Sequence, residues 1–428
     1  MARNRLRLIA LLVVATVGFT SACSGGGGGS KGSEGASAEK GGTLTFANWQ
    51  WLEPGRAETI FAAVNGYTKE NPEATIKKRS ITRADYEKTI STQIGSGGGP
   101  DLLIVPDTYF PELASSGALE PLDGVLDSES EQNLAPANKD YTYKGDQLGY
   151  VWETVPFAFF WNKEILAKAG VTPPKTFDEL LAAAKKIKSS TGKTGFAVRH
   201  QMNEEPVWWL DHSNWAHGYG GGWSDGKKLT INSPENVKAE TDFKRMYDSG
   251  AFAVGDDAST YRSKFAAGEI GMVIDNSSAL LTMISDSKSV KSPQIGASAL
   301  PFPTGKSAYA GFAIGINANS KHKALAKDFL KWMFTEQGQQ QFAKGLFPSS
   351  VGTDAKAPQG LRDQNPWVED FFAQLDDSQN AVVGGYETET PVIRKIVLSQ
   401  IERILTEDAD PKQALDQAQS EAEAAVAD

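Results

Sequence analysis

Cys23 is the only cysteine among 428 residues. No internal disulfide can staple this chain, so its fold must be held by buried apolar surface and hydrogen bonds. The position of that cysteine constrains the chain further. Arg3, Arg5 and Arg7 form a positive front, Leu8 to Phe19 runs apolar, and Thr20-Ser21-Ala22 leads into Cys23. A basic front, a short apolar stretch and small residues at a cut site describe a secretory signal peptide. The apolar stretch is about a dozen residues, short of the roughly 20 that span a bilayer as a helix. Ser24 to Ser37 is nearly all Gly, Ser, Ala and single charges. Such a tract has little to bury and acts as a flexible coil.

The small residues before Cys23 resemble a bacterial lipobox, in which the cysteine receives diacylglycerol and becomes the mature N-terminus. The sequence departs from that pattern at Thr20, where lipoboxes most often carry Leu. The expected order is a signal peptide over 1–22, a lipidated Cys23 with its tether over 23–40, and then the globule.

About 400 residues remain beyond the leader, enough for two domains with cores of their own. Hydrophobic residues make up 40% and charged residues 22%, the balance of an ordinary globular protein. No later segment is apolar enough to span a membrane. The formal net charge is −10, and the leader contributes arginines but no acids, so the body is more acidic still. That argues against nucleic acid as a partner, because phosphate neutralisation needs clustered Lys and Arg. The histidines are His200, His212, His217 and His322, and they form neither H-E-x-x-H nor a Cys/His set. No G-x-S-x-G elbow is present. Gly97 to Gly99 lacks the Gly-Lys-Ser/Thr that a phosphate-binding loop needs, so the glycines read as a helix stop. No catalytic residue, metal site or cofactor is expected. There is no tandem repeat of 20–50 residues.

Periodicity predicts a strand over Thr43–Ala47, a helix over Glu58–Asn71, a strand over Ala74–Ser80 and a helix over Asp85–Ile94. Leu102-Leu103-Ile104-Val105 is a continuous apolar run, as in a strand buried on both faces. Strand, helix, strand, helix, strand is the start of a doubly wound α/β fold. Val155–Trp161, Gly271–Asp275 and Phe312–Ile316 read as further strands. Thr176-Phe177-Asp178-Glu179 is a capping box that opens a helix to about Ser189. Ser233-Pro234 opens another helix. His322–Phe334, Glu336–Lys344, Thr390–Leu405 and Pro411–Val426 complete the helices.

Six stretches then carry a resemblance that covers nearly all the mature chain. They are Gly97-Gly98-Gly99-Pro100-Asp101-Leu102-Leu103, Ser116-Gly117-Ala118-Leu119-Glu120-Pro121-Leu122-Asp123, Phe160-Trp161-Asn162-Lys163, Pro173 to Leu180, Phe265 to Met272, and Tyr309-Ala310-Gly311-Phe312. In this order they resemble the motifs of extracellular solute-binding proteins of bacterial ABC importers, in the carbohydrate-type class that includes the maltose-binding protein. The resemblance implies a two-lobed periplasmic-binding-protein-like α/β fold, each lobe a mostly parallel sheet with helices on both faces. It implies a first lobe of 41–150 plus 303–347 and a second of 153–300 plus 349–428. Hinges would lie near Val151–Thr154, Leu300–Tyr309 and Pro348–Asp354, with solute held between the lobes.

Ligands of open α/β sheets sit at the carboxyl ends of strands, and domain interfaces favour pockets. A sugar needs an aromatic platform for its C–H face and Asp, Glu, Asn or Gln for its hydroxyl rim. Trp49 and Gln50 follow the first strand and supply both, although Trp49 also suits a core with one wet edge. Asp107-Thr108 follows the strand Leu102–Val105, as a ligand contact or a simple Asx turn. Trp152-Glu153 lies at the first implied hinge and is the foremost ligand candidate, although Trp152 replaces the family's usual Pro. Trp208, Asp211, His212 and Trp215 share a helix face, which is a stacking wall or a packed helix. Asn276-Ser277 follows the strand Met272–Ile274, where the family often carries a Trp. Gly311-Phe312 lies beside a returning strand, where close backbone approach favours Gly.

The expected function is a lipid-anchored binding protein on the outer face of the cytoplasmic membrane. It would close on a neutral carbohydrate, with Trp152 and Glu153 at the centre of the site, and deliver it to ABC permease subunits as a monomer. The absence of a basic cluster in these stretches disfavours an anionic ligand. The alternatives are a polyol, organophosphate or peptide receptor, or a secreted carbohydrate-active enzyme. If Cys23 is the anchor, Cys23→Ser should move the protein from the membrane pellet to the soluble fraction. One acyl chain binds membranes only marginally, so loss of the multiply acylated residue should be decisive. Retention of the variant on washed membranes would remove the anchor.

Overall fold

The computed structural model describes residues 41–427 apart from Pro54 and Asp286. The leader, Cys23 and the tether lie outside the described residues. The strands are β1 (Gly42–Ala47), β2 (Ala74–Arg79), β3 (Leu102–Pro106), β4 (Thr142–Tyr143), β5 (Asp146–Gln147), β6 (Tyr150–Asn162), β7 (Thr194–Ala197), β8 (Ile270–Asn276), β9 (Ile295–Ser298), β10 (Ser307–Ile316) and β11 (Ser378–Gln379). One sheet runs in the order β2-β1-β3-β10-β6-β8-β7, with β11 beside β10 and β9 beside β6.

Two strands make this a two-lobed molecule. In its first half β6 pairs antiparallel with β10, from Tyr150↔Ile314 to Pro156↔Tyr309. In its second half it pairs with β8, from Phe157↔Asn276 to Trp161↔Met272, and with β9. β10 in turn pairs with β3 over Phe312–Ile316 and with β11 at Ser307–Ala308. Both strands therefore belong to both lobes. A third crossing runs beside them, where Thr154 bridges Ser350.

The apolar pattern explains the arrangement. Every residue of β3 is buried, as are Tyr150–Phe160 of β6, so both are strands covered on both faces. The first core joins residues from Leu44 to Trp152 with residues from Ala313 to Val351. Two further clusters serve the second lobe. One runs from Phe157 through Ala308 to Ala422, and the other joins Phe160 and Val273 to Trp367 and Phe371. Three buried residues fall on the other side of the boundary from the one the sequence implied, among them Phe347, which packs with Phe160 and Trp367 in the second lobe. Ala308 packs in the second lobe because β11 pairs with it, and Val351 packs in the first because its neighbour Ser350 lies against β6.

Local signals act as read, with one change of detail. Thr176 Oγ1 accepts from the Glu179 amide at 3.3 Å, and Ser233 Oγ caps its helix through the Asn236 amide. Glu179, however, reaches back to the Lys175 amide at 2.7 Å rather than to Thr176. Among the described residues no helix is long and apolar enough to cross a membrane.

Trp152 anchors the junction of β6 with the first core. Its ring lies edge-on to Phe46 and Phe342 at 5.4 and 5.0 Å, and its Nε1 donates to Gln50 Oε1 at 2.8 Å. It has no exposed surface. Trp152→Ala should therefore cost about 3–5 kcal/mol of stability, the range for deleting a buried tryptophan. Urea denaturation monitored by circular dichroism should show this; an unchanged midpoint would mean that the ring is not part of the core.

Candidate functional site

Alternation along β6 and β10 gives the crossing ribbon two faces. Glu153 and Phe312 are partners and share one face, while Gly311 and Tyr309, with partners Thr154 and Pro156, take the other. Two pockets lie beside this ribbon, each lined from both lobes.

The larger pocket, about 670 Å³, is lined by Glu53 and Arg56 of the first lobe and by Arg199, Glu204, Arg262, Asn276 and Ser278 of the second. It opens where β7 and β8 end, and where the helix Ala57–Glu70 begins after β1. Its guanidinium groups are each held by carboxylates. Arg56 donates to Glu53 and to buried Glu153, both at 2.9 Å. Arg199 pairs with Glu204 at 3.1 Å and with Asp211 at 2.5 Å. Arg262 grips Asp275 with two nitrogens, at 2.8 and 2.7 Å. Burial raises the Asp275 carboxyl, but Arg262 and Arg199 outweigh it and hold the group below its usual range. Such an array offers directional donors and acceptors on rigid frames, with every guanidinium compensated by carboxylates within the wall. Among the described residues no group of three His, Cys, Asp or Glu could hold a metal ion.

Of the residues singled out from sequence, Asn276 lines this cleft. It is partly exposed, and its Oδ1 accepts from the Ala279 amide at 2.9 Å. Glu153 lies just beneath, fully committed to Gln50 and Arg56. Gln50 is 1% exposed and bridges Asn48, Trp152 and Glu153. Trp152 and Glu153 are thus a structural knot under the cleft floor rather than an open platform, because their polar atoms are spent on one another's neighbours. Trp49 and Phe312 do meet, with ring centroids 5.2 Å apart, but Tyr86 packs on Trp49 at 4.9 Å and the Arg83 guanidinium covers its ring.

The other candidates serve packing. Asp107 accepts from the Thr108 amide at 2.7 Å and the Gly311 amide at 2.9 Å, which straps the end of β3 to β10. Gly311 is required there, since a Cβ would sit 2.7 Å from Tyr141 Oη. Trp208 and Trp215 have no exposed surface and belong to the second-lobe core. Trp215 packs on Phe243 and Phe302, so the proposed stacking wall is a buried helix, Glu205–Gly218. Ser277 is fully buried. Sequence reading missed Arg56, Arg199 and Arg262. Arg199 follows β7 and the strand-end rule would have found it had that four-residue strand been recognised. Arg262 and Asp275 lie on separate elements, and nothing local links them. The three arginines also correct the expectation that no basic cluster serves the site: they converge from stretches far apart in the chain.

Comparisons with known proteins agree with this architecture. The family described as bacterial extracellular solute-binding protein matches residues 52–340, about two thirds of the chain. The diacetylchitobiose binding protein DasA of Streptomyces coelicolor is 26% identical over 410 residues, covering 87% of this chain and 91% of that protein. The sn-glycerol-3-phosphate-binding periplasmic protein UgpB of Agrobacterium fabrum is 25% identical, covering 73% of this chain and 76% of that one. Among solved structures, the GacH receptor of Streptomyces glaucescens superposes with a TM-score of 0.78 at 23% identity, over 91% of this chain and 99% of that chain. Maltose-bound T. maritima MalE3 superposes with a TM-score of 0.77 at 20% identity, over 90% and 100%. The structural likenesses show the fold, with its two lobes.

Burial pushes the Asp107 carboxyl up from 3.8 to about 7, against the two amides that favour its charge. The folded state therefore binds this proton more tightly than the unfolded state does. The associated stability is present in acid and is lost as pH rises from about 4 to about 7. Asp107→Asn removes that loss. The stability of the variant relative to wild type should climb across this window and level off above it, measured by urea unfolding at several pH values. A difference that stays flat would show that Asp107 ionises normally.

Proposed function

This chain belongs to the bacterial extracellular solute-binding protein family, and we propose that it captures a neutral carbohydrate between its two lobes and hands it to an ABC permease. The substrate-binding role comes with the family, and its site of action is extracytoplasmic. The carbohydrate class rests on one observation, that every guanidinium of the cleft is already paired with carboxylates. Its three guanidinium groups face five carboxylates, Glu53, Glu153, Glu204, Asp211 and Asp275. An anion entering this wall must compete with carboxylates already paired there. Hydroxyl groups instead find donors and acceptors already aimed, at no net charge cost. DasA, named for a neutral disaccharide, supports the same reading. In this proposal Arg56, Arg199, Glu204, Arg262, Asn276 and Ser278 grip hydroxyls, and lipidated Cys23 keeps the receptor at the membrane beside its permease.

A second reading has its own support. Three guanidiniums in one cleft would also hold the phosphate of a phosphorylated polyol, and UgpB is named for such a ligand. The carboxylate surplus weighs against it.

A thermal-shift panel of neutral oligosaccharides, monosaccharides, polyols and glycerol 3-phosphate decides between them. A ligand at a hundred times its Kd adds about 2.7 kcal/mol of stability, an ample signal. A neutral sugar should raise Tm and be recovered unchanged, and Asn276→Ala should weaken its binding about tenfold through a lost hydrogen bond. A response to glycerol 3-phosphate alone would establish the second reading, and conversion of the sugar would make the protein an enzyme.

A further inference from the structure

The smaller pocket, about 390 Å³, shares no lining residue with the cleft. Both lobes and the ribbon build it: Lys139 and Asp140 from the first lobe, Tyr309 from β10, and His217, Gly222 and Asn380 from the second. Its walls carry little charge. Asp140 is engaged by the Tyr309 hydroxyl, which leaves Lys139 at the exposed rim.

His217 is the unusual group. It is 6% exposed, lines the pocket, and neither ring nitrogen makes a hydrogen bond among the described residues. Carbonyls of Gly221 and Asn380 lie near it without adequate geometry for a bond. A buried polar ring normally has partners, since leaving it bare costs about 1–3 kcal/mol. Burial holds the ring at about 4, so it is neutral at pH 7 and presents one donor and one acceptor. A hydroxyl group is the matching partner, being both donor and acceptor itself. The Asn380 amide and the Asp140–Tyr309 pair add further sites of the same kind.

We infer that this smaller pocket is a second binding site, for a small neutral hydroxyl-bearing solute held by His217, Asn380 and Tyr309. It is separate from the cleft and does not depend on the cleft's ligand. The volume lies within the range of small-molecule sites.

Glycerol and D-glucose serve as probes, with the His217 imidazole resonances of the intact protein as the readout. The chain has four histidines, so assignment by single substitution is direct. At least one probe should shift His217 saturably. Gly222→Leu fills the pocket from a position where a Cβ meets nothing within 4 Å and φ is not positive, so the fold is preserved. It should weaken the response at least tenfold. Gly384→Leu, whose Cβ would meet only Ser224 Oγ at 3.7 Å, should do the same from the facing loop. Asn276→Trp, which obstructs the cleft, should leave the response intact. The inference fails if both probes give only linear shifts, if both filled variants respond like wild type, or if the response vanishes in Asn276→Trp.

Discussion

The antiparallel pairing of β6 with β10 is the bond on which the molecule turns. Each strand spends one stretch of its hydrogen bonds in the first lobe and another in the second. The sheet therefore never breaks between lobes; it changes partners. Two pockets lie beside this ribbon, one tied to it through the Arg56–Glu153 pair and one lined by Tyr309 itself.

Buried charge finishes what register begins. Glu153 is 1% exposed, and an isolated carboxylate there would be untenable. Arg56 and Gln50 satisfy it, and Gln50 in turn receives Trp152. The loop after β1, the start of the following helix and the crossing strand are thereby fixed to one another. Breaking one partner of such a buried pair costs about 3–5 kcal/mol, far more than a surface pair contributes. Arg199 with Asp211, and Arg262 with Asp275, repeat the device on the facing wall. The cleft is rigid on both sides because its polar side chains are already engaged.

Long periodic segments were legible in the sequence. The strand Leu102–Pro106 and the helices opening at Thr176, Ser233 and Thr390 announce themselves by apolar runs, caps and prolines. Strand ends were legible too, which is how Asn276 was found. Tryptophan misled, because its chemistry suits a sugar platform and a core equally well, and burial separates the two. Trp152, Trp208 and Trp215 all proved to be core. The arginines were invisible for a different reason. Arg262 and Asp275 are thirteen residues apart, and Arg56 and Glu153 ninety-seven, so each pair exists only after folding.

Between Phe312 and Ala313 the register of β10 against β6 slips. A slip of this kind leaves a residue out of the ladder and increases local twist and bend. On either side the ladder is regular, and sliding one strand along the other would break several bonds at once. The residue left out is Trp152, whose buried ring is wedged between Phe46 and Phe342. The bend between the lobes is thus an elbow whose pin is set in the first core.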